Sequence, residues 1–317
     1  MNYLVKPVWD ISGKTVLVLG ATGLVGSALL RRLKSEDCTK IGATRHEADL
    51  TLASETLALI QKIKPDAIFI AAAKVGGILA NRDYAVQFLE ENLLVQINIL
   101  RAAHQANVER VIFLGSSCIY PKHAAQPISE KSLMTGPLEP TNDAYAIAKI
   151  AGIRLIDGYR KQYGRHWISA MPTNLYGPND NFDLQSSHVI PALLRKFHEA
   201  ILSNQPSVEI WGTGVARREF LHVDDCADAL VHCAKTFDAP GPINIGYGRE
   251  ISIKALSEMI KAITGFTGEL HYDFDKPDGM LLKLTDSSLL NNSGWNPKID
   301  LKIGITSTYE WFLKNQT

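Results

Sequence analysis

A chain of 317 residues is long enough for about two domains, or one large α/β unit, with a full hydrophobic core, which excludes a mini-protein held by staples. Its 33 Lys plus Arg balance 33 Asp plus Glu, a formal charge of zero with histidines neutral, and that excludes a polyanion binder held by bulk charge. With 46% hydrophobic and 21% charged residues, the composition is globular and not that of a disordered chain.

Apolar runs alternate with amphipathic stretches, a βαβα rhythm that predicts a parallel sheet covered by helices on both faces. The opening MNYLVKPVWDISGKT lacks an apolar core of signal-peptide length, and nowhere do about 18 uncharged apolar residues run together, so a soluble, cytoplasmic protein is expected. Residues 14–19 read as a buried strand and 23–34 as the helix after it. Strands follow at 40–44, 67–73 and 110–114, with crossover helices at 50–64 and 86–107. A long helix is expected at 143–163 and a further strand at 166–171. After Pro172 the rhythm loosens into loops such as GPNDNFDLQSS, then a helix at 188–203. A helix at 223–237 and a strand at 242–246 return to the sheet. SIKALSEMIKAITG, ELHYDF and a last helix at 301–314 complete a smaller part. The fold class expected is α/β: a Rossmann-type doubly wound parallel sheet, residues 1–178 plus 223–248, with a smaller, discontinuous α/β domain, residues 179–222 plus 249–317.

Gly20-Ala-Thr-Gly23-Leu-Val-Gly26 follows the first strand directly and opens a helix. Glycines are needed where the backbone turns tightly and nears a pyrophosphate, whose charge is met by unpaired N–H groups at a helix N-terminus. The spacing is GxxGxxG, not GxGxxG, and its strand–loop–helix setting assigns Gly20, Thr22, Gly23, Leu24, Val25 and Gly26 to a dinucleotide. Where an NAD enzyme puts an acidic residue for the ribose, the chain reads Ala43-Thr44-Arg45-His46. Arg45 suits a 2′-phosphate, so NADP(H) is the expected cofactor; the plainer reading is a solvated arginine at a strand end. Asp49 and Leu50 are expected near the adenine, and Ala72 and Ala73 where a strand passes close to the cofactor. The four cysteines, Cys38, Cys118, Cys226 and Cys233, show neither CxxC nor zinc-ligand spacing, so reduced thiols and no metal are expected.

Tyr145-Ala-Ile-Ala-Lys149 sets tyrosine and lysine four apart on one helix face. A neighbouring ammonium favours the phenolate of a tyrosine whose ordinary pKa is about 10. Ser116, at the end of the fourth strand, can hydrogen-bond the same carbonyl oxygen. YxxxK alone also arises as a surface tyrosine and a solvated lysine; with the glycine loop and a strand-end serine it is specific. The chain resembles the extended, nucleotide-sugar form of the short-chain dehydrogenase/reductase superfamily.

Further strings narrow the likeness: Leu114-Gly-Ser-Ser-Cys118-Ile-Tyr-Pro121, Ala73-Lys-Val-Gly-Gly77, Leu138-Glu-Pro-Thr-Asn142, Pro172-Thr-Asn-Leu-Tyr-Gly177, Ser187-His188-Val-Ile-Pro-Ala-Leu193, Arg218-Glu-Phe-Leu-His-Val-Asp-Asp225 and Lys276-Pro-Asp-Gly279. From about Thr15 onward the chain is similar to the GDP-L-fucose synthase family. That resemblance implies an NADPH-dependent 3,5-epimerase and 4-reductase acting on a GDP-linked 4-keto-deoxy sugar. Ser116, Tyr145 and Lys149 would serve reduction. A 4-keto sugar has acidified protons on carbons 3 and 5, and inverting either centre needs a base on one face and an acid on the other. The family gives these roles to the positions of Cys118, usually the base, and His188, usually the acid. Read by themselves, Cys118 is more commonly a buried structural cysteine, and His188 is equally a helix N-terminal residue with a structural hydrogen bond.

By family position Tyr145, Lys149, Pro172, Asn174, Leu175 and His188 also face the cofactor, held by the first domain. Ser117, Asn174, Val189, Lys196, Trp211, Arg218 and Lys283 face the GDP-sugar, held by the second; for Trp211 the bland alternative is core packing. A homodimer through helices 86–107 and 143–163 is implied, with no nucleic-acid or membrane partner. Three positions depart from the pattern: Thr22 where some members have arginine, Lys196 where arginine is frequent, and the apolar Met280-Leu281-Leu282 before Lys283. They leave open a GDP-L-colitose synthase, which would epimerise only carbon 5, or a GDP-heptose 4-reductase.

Overall fold

The computed structural model describes residues 7–276 and 278–315; Met1 to Lys6 of the opening string and Pro277 of the Lys276-Pro-Asp-Gly279 string lie outside them. In chain order the elements are β1 (Lys14–Leu19), α1 (Leu24–Arg32), β2 (Cys38–Ala43), α2 (Ala53–Ile63), β3 (Ala67–Ile70), α3 (Ile78–Asp83), α4 (Ala85–Gln105), β4 (Arg110–Leu114), α5 (Asp143–Tyr163), β5 (Ile168–Pro172), β6 (Asn174–Tyr176), α6 (Val189–Leu202), β7 (Ser207–Trp211), β8 (Arg217–His222), α7 (Val223–Thr236), β9 (Pro242–Ile245), β10 (Glu250–Ser252), α8 (Ile253–Thr264), β11 (Glu269–Asp273), β12 (Leu282–Lys283), α9 (Ser288–Asn292) and α10 (Leu301–Asn315).

Six strands form a parallel sheet in the order β2-β1-β3-β4-β5-β9. Because successive side chains point to opposite faces, each continuous apolar strand feeds two cores. Val16, Val18, Phe69 and Ile112 pack on α1 and α7; Leu17, Leu19, Ile68 and Phe113 pack on α2, α4 and α5. The doubly wound expectation is met. Strand order reverses at β1, with β2 on one side and β3 on the other, and the crevice at the carboxyl ends there is where such sheets receive ligands.

The rest of the chain builds a four-stranded sheet in which β8 pairs with β6, β10 and β12, and a pair of β7 with β11. A third core, including Ile190, Leu194, Phe197, Ile210, Phe220, Leu256 and Ile305, joins these strands to α6, α8 and α10. Among the described residues no helix is long and apolar enough to cross a membrane.

Two local expectations are corrected. The strand expected at 67–73 stops at Ile70, because the backbone of Lys74 exchanges hydrogen bonds of 3.0 Å with the side chain of Asn92 on α4 instead of continuing the ladder. Ser116 does not lie on the end of β4 but precedes a single helical turn, Ser117–Ile119, which carries Cys118 and which Ser116 Oγ caps by accepting from the Cys118 N–H at 3.3 Å.

Candidate active site

At the carboxyl end of β1 the backbone enters the left-handed region at Gly20, φ +84°, where a Cβ would lie 2.8 Å from the Ala72 nitrogen. A Cβ on Gly26 would lie 2.0 Å from the Gly20 carbonyl oxygen. These two glycines let β1, the segment after β3 and the start of α1 touch. Thr22 and Gly23 are exposed, Leu24 and Val25 half-buried. Gly23 caps α1 without a side-chain hydrogen bond, and the first turn holds no acidic residue, so its N–H groups remain available to an anion.

Arg45 follows β2 on a turn closed by Thr44, whose N–H and Oγ1 donate to Glu47 at 2.7 and 2.6 Å. It is exposed and has no hydrogen bond or ion pair among the described residues. Asp49 is committed to its own turn: it accepts from the Thr51 N–H and hydroxyl at 2.9 and 2.7 Å, and these bonds hold its carboxyl below the usual range. The half-buried Leu50 offers its carbonyl to Asn98 on α4 at 3.1 Å. Ala72 and Ala73 are half-buried beside the glycine turn.

α5 lies across β4 because Gly152 leaves room: a Cβ there would come within 2.4 Å of the Phe113 ring. The helix carries Tyr145 and Lys149 on its buried face. Lys149 Nζ donates to the Leu114 carbonyl at 2.8 Å and lies 5.0 Å from the Phe113 ring centre and 5.8 Å from that of Tyr145. Burial pulls Lys149 down to about 8. The expectation that Lys149 lowers Tyr145 is corrected. Burial, and then the Cys118 sulfur, push the phenol up, with only a hydrogen bond from Ser116 opposing; Lys149 is committed to the carbonyl.

Ser117 is buried, while Cys118 on the same turn is half-buried and accepts at its Sγ from Lys283 Nζ at 3.5 Å. Lys283, expected on the nucleotide side, lies here against Cys118, and its charge acts on His188. The other three thiols are pushed up by burial, Cys226 and Cys233 completely enclosed. His188 caps α6 through its backbone. His188 is exposed at the surface, yet the atoms packed about its ring, and then the Lys283 charge, hold it below the ordinary histidine value. The preceding loop is held by Gly77, whose N–H donates to the Ser186 carbonyl at 2.8 Å; a Cβ on Gly77 would lie 2.8 Å from the Ser187 carbonyl oxygen. Tyr145, Ser116, Cys118, Lys283 and His188 thus form one chain of neighbours.

At the far side, Asn174 on β6, next to the half-buried Leu175 and the buried Pro172, donates to the Glu219 carbonyl at 2.9 Å. Val189 is 39% exposed. Trp211 is 43% exposed, which corrects the core-packing alternative. Lys196 Nζ lies 5.2 Å and Lys276 Nζ 5.6 Å from its ring centre. Lys196 also donates to the Glu209 carbonyl at 3.2 Å, and burial lowers its pKa. Arg218 donates to the carbonyls of Arg217, Asp278 and Met280 and so holds the loop that leads into β12.

One residue escaped the sequence reading. Glu219 is fully buried on β8 and accepts from the Gly248 N–H at 2.7 Å and from the Thr285 N–H and hydroxyl at 3.0 and 2.7 Å. A carboxylate directly before the apolar Phe220-Leu221 was the available signal.

The profile of the NAD dependent epimerase/dehydratase family matches residues 16–246. A GDP-L-fucose synthase of Sinorhizobium fredii is 51% identical over 309 residues, 98% of each chain. That of Escherichia coli is 46% identical over 96% of this chain and 98% of its own. A solved GDP-L-fucose synthetase from Naegleria fowleri bound to NADP superposes with a TM-score of 0.90 at 28% identity, covering 98% of this chain and 97% of that one. The chain belongs to the NAD dependent epimerase/dehydratase family, in the branch of the GDP-L-fucose synthases.

Proposed function

We propose that the protein is an NADPH-dependent 3,5-epimerase and 4-reductase that converts GDP-4-keto-6-deoxy-D-mannose to GDP-L-fucose. The observation that carries this reading is the second pair: Cys118 and His188 converge, through Lys283, on the turn that also holds Ser116 beside Tyr145. A simple reductase has no need of them. The activity named for the relatives supports the same assignment.

The glycine cradle fits a dinucleotide, since a Cβ at Gly26 would fill it and the first turn of α1 carries no acidic side chain. Gly20 to Gly26 would hold the diphosphate and Arg45 the 2′-phosphate, with Asp49, Leu50, Ala72, Ala73, Pro172, Asn174 and Leu175 along the rest. Bound NADPH supplies the hydride for carbon 4 of the keto sugar. Ser116 and Tyr145 hold the carbonyl oxygen there and steady the enolate while Cys118 removes a proton from carbon 3 or 5 and His188 returns one on the opposite face. In reduction Tyr145 gives its phenolic proton to the forming hydroxyl, and the Lys149 ammonium, anchored on the Leu114 carbonyl, would orient the nicotinamide ribose.

The second domain would take the GDP: Arg218 and Lys196 the diphosphate, Trp211 the base, and Ser117, Asn174 and Val189 the sugar side. The division into residues 1–178 plus 223–248 and 179–222 plus 249–317 is supported by β9 and α7 belonging to the first sheet and its core. Leu94, Ile147 and Tyr163, each 41–51% exposed on α4 and α5, support a homodimer through these helices; a cytoplasmic location belongs to the same proposed reading.

Incubation with GDP-4-keto-6-deoxymannose and NADPH in heavy water tests the reading. Deuterium at carbons 3 and 5 with NADPH consumed is expected. Reduction without exchange overturns the epimerase assignment, and turnover of a 3,6-dideoxy substrate in preference, with exchange at carbon 5 alone, replaces the sugar.

A further inference from the structure

We propose that Lys283 is the charge that couples the two proton transfers of epimerisation: a positioning residue whose ammonium holds the Cys118 thiolate ready as base and, once that thiolate is protonated, drives the proton off His188. The inference rests on the roles proposed above for Cys118 and His188.

Its placement is the first argument. Lys283 sits on a strand of two residues pinned on every side. The Leu281 carbonyl accepts from the Arg217 N–H at 2.8 Å, and the Leu284 N–H donates to Gln126 Oε1 at 2.9 Å. The Leu284 carbonyl accepts from the Ile128 N–H at 2.8 Å, and the Asp286 N–H donates to the Ile128 carbonyl at 2.9 Å. Thr285 gives two hydrogen bonds to Glu219. A lysine used only as a flexible counter-ion does not need so rigid a base; one that must meet a particular atom does.

Its partners are the second argument. Among the described residues Lys283 forms no ion pair with any carboxylate, and its one side-chain hydrogen bond is the 3.5 Å contact to the Cys118 sulfur. The groups that face Cys118 are Tyr145 from α5 and Lys283 from β12; the charge that reaches His188 is that of Lys283. Lysine beside a thiol favours the thiolate, the form able to accept a proton.

The balance closes without another reagent. A C–H bond at carbon 3 or 5 breaks and its proton goes to sulfur; the N–H bond of the His188 imidazolium breaks and its proton forms the new C–H bond on the opposite face. Nothing is oxidised or reduced. Thiolate, ammonium and imidazolium carry one net positive charge before the step, and thiol, ammonium and imidazole carry the same after it. As the thiolate vanishes, the ammonium is no longer neutralised, and its repulsion of the imidazolium rises at the moment when that proton must leave. Exchange with water resets both groups.

The test is the rate of Cys118 alkylation by iodoacetamide in the whole protein without substrate, followed by mass spectrometry of the Cys118 peptide against pH. Lys283→Met is expected to slow alkylation at pH 7 about tenfold. Lys283→Arg is expected to stay near the wild-type rate. In the wild type, Cys118 is expected to react faster at neutral pH than Cys38 of the same molecule, a comparison that needs no folded variant. Equal rates for wild type and folded Lys283→Met, or Cys118 reacting no faster than Cys38, overturn the proposal. In heavy water Lys283→Met is expected to lose deuterium incorporation more than sugar binding, read as a fall in kcat with KM little changed; an unchanged kcat for exchange also overturns it. Exchange that survives Cys118→Ser strikes instead at the role of Cys118, leaving the alkylation result standing.

Discussion

Lys149 donates to the carbonyl of Leu114 at 2.8 Å, a bond from the middle of α5 to the last residue of β4. It fixes the distance between the helix that carries Tyr145 and the turn that carries Ser116. The same bond leaves the ammonium buried without a carboxylate, which is why its pKa falls to about 8.

The pH dependence of reduction follows from that value. Lys149 is protonated below about 8 and neutral above it, so kcat/KM for NADPH oxidation is expected to be highest below pH 8 and to fall as pH rises through it, since kcat/KM reports the free enzyme. Lys149→Met is expected to lose about 100-fold at pH 7 and the alkaline limb with it; a limb unchanged in this variant would assign it elsewhere.

Gly26→Ala places a methyl group where the Gly20 carbonyl oxygen already sits. A destabilisation of about 1–3 kcal/mol is expected from such overpacking, together with at least about tenfold weaker NADPH binding by fluorescence titration as the turn is pushed open. Gly23→Ala meets only the Gly20 oxygen at 3.5 Å, so it is the milder change in the melting temperature.

Arg45→Ala tests the choice between cofactors. An exposed guanidinium with no competing partner among the described residues can give a bidentate contact to a phosphate. The expected outcome is about a tenfold or greater fall in kcat/KM with NADPH and little change with NADH. An unaltered ratio of the two would remove Arg45 from selection.

Glu219→Ala deletes a buried acceptor of three hydrogen bonds. Leaving those donors unpaired inside the protein is expected to cost about 3 kcal/mol or more, a lower melting temperature in calorimetry. Because Thr285 follows β12 closely, epimerisation is expected to suffer more than NADPH binding, which depends on the other sheet.

Much of this was legible in the residues because the central strands are continuous apolar runs: KTVLVL and RVIFL have no alternative but burial on both faces. The four-residue spacing of Tyr145 and Lys149 was legible for a similar reason, since it needs only the helix period. β8 and β12 were not. RREFLH carries three charged residues, and LK is two residues long; such strands exist because partners far away in sequence pair with them, Arg218 with both Ile251 and Lys283. The neighbourhood of Cys118 and Lys283, 165 positions apart, is a product of that pairing and has no local signature. The end of β3 at Ile70 was hidden in the same way, because Asn92 on α4 captures Lys74.

Residues 71–77 touch the glycine turn after β1 at one end and the loop before His188 at the other. Ala72 lies against Gly20, and Gly77 lies against Ser187 just before His188. This segment is a strut whose length both ends dictate. Adding or deleting a single residue here is expected to shift His188 relative to the glycine turn while leaving every candidate side chain in the sequence.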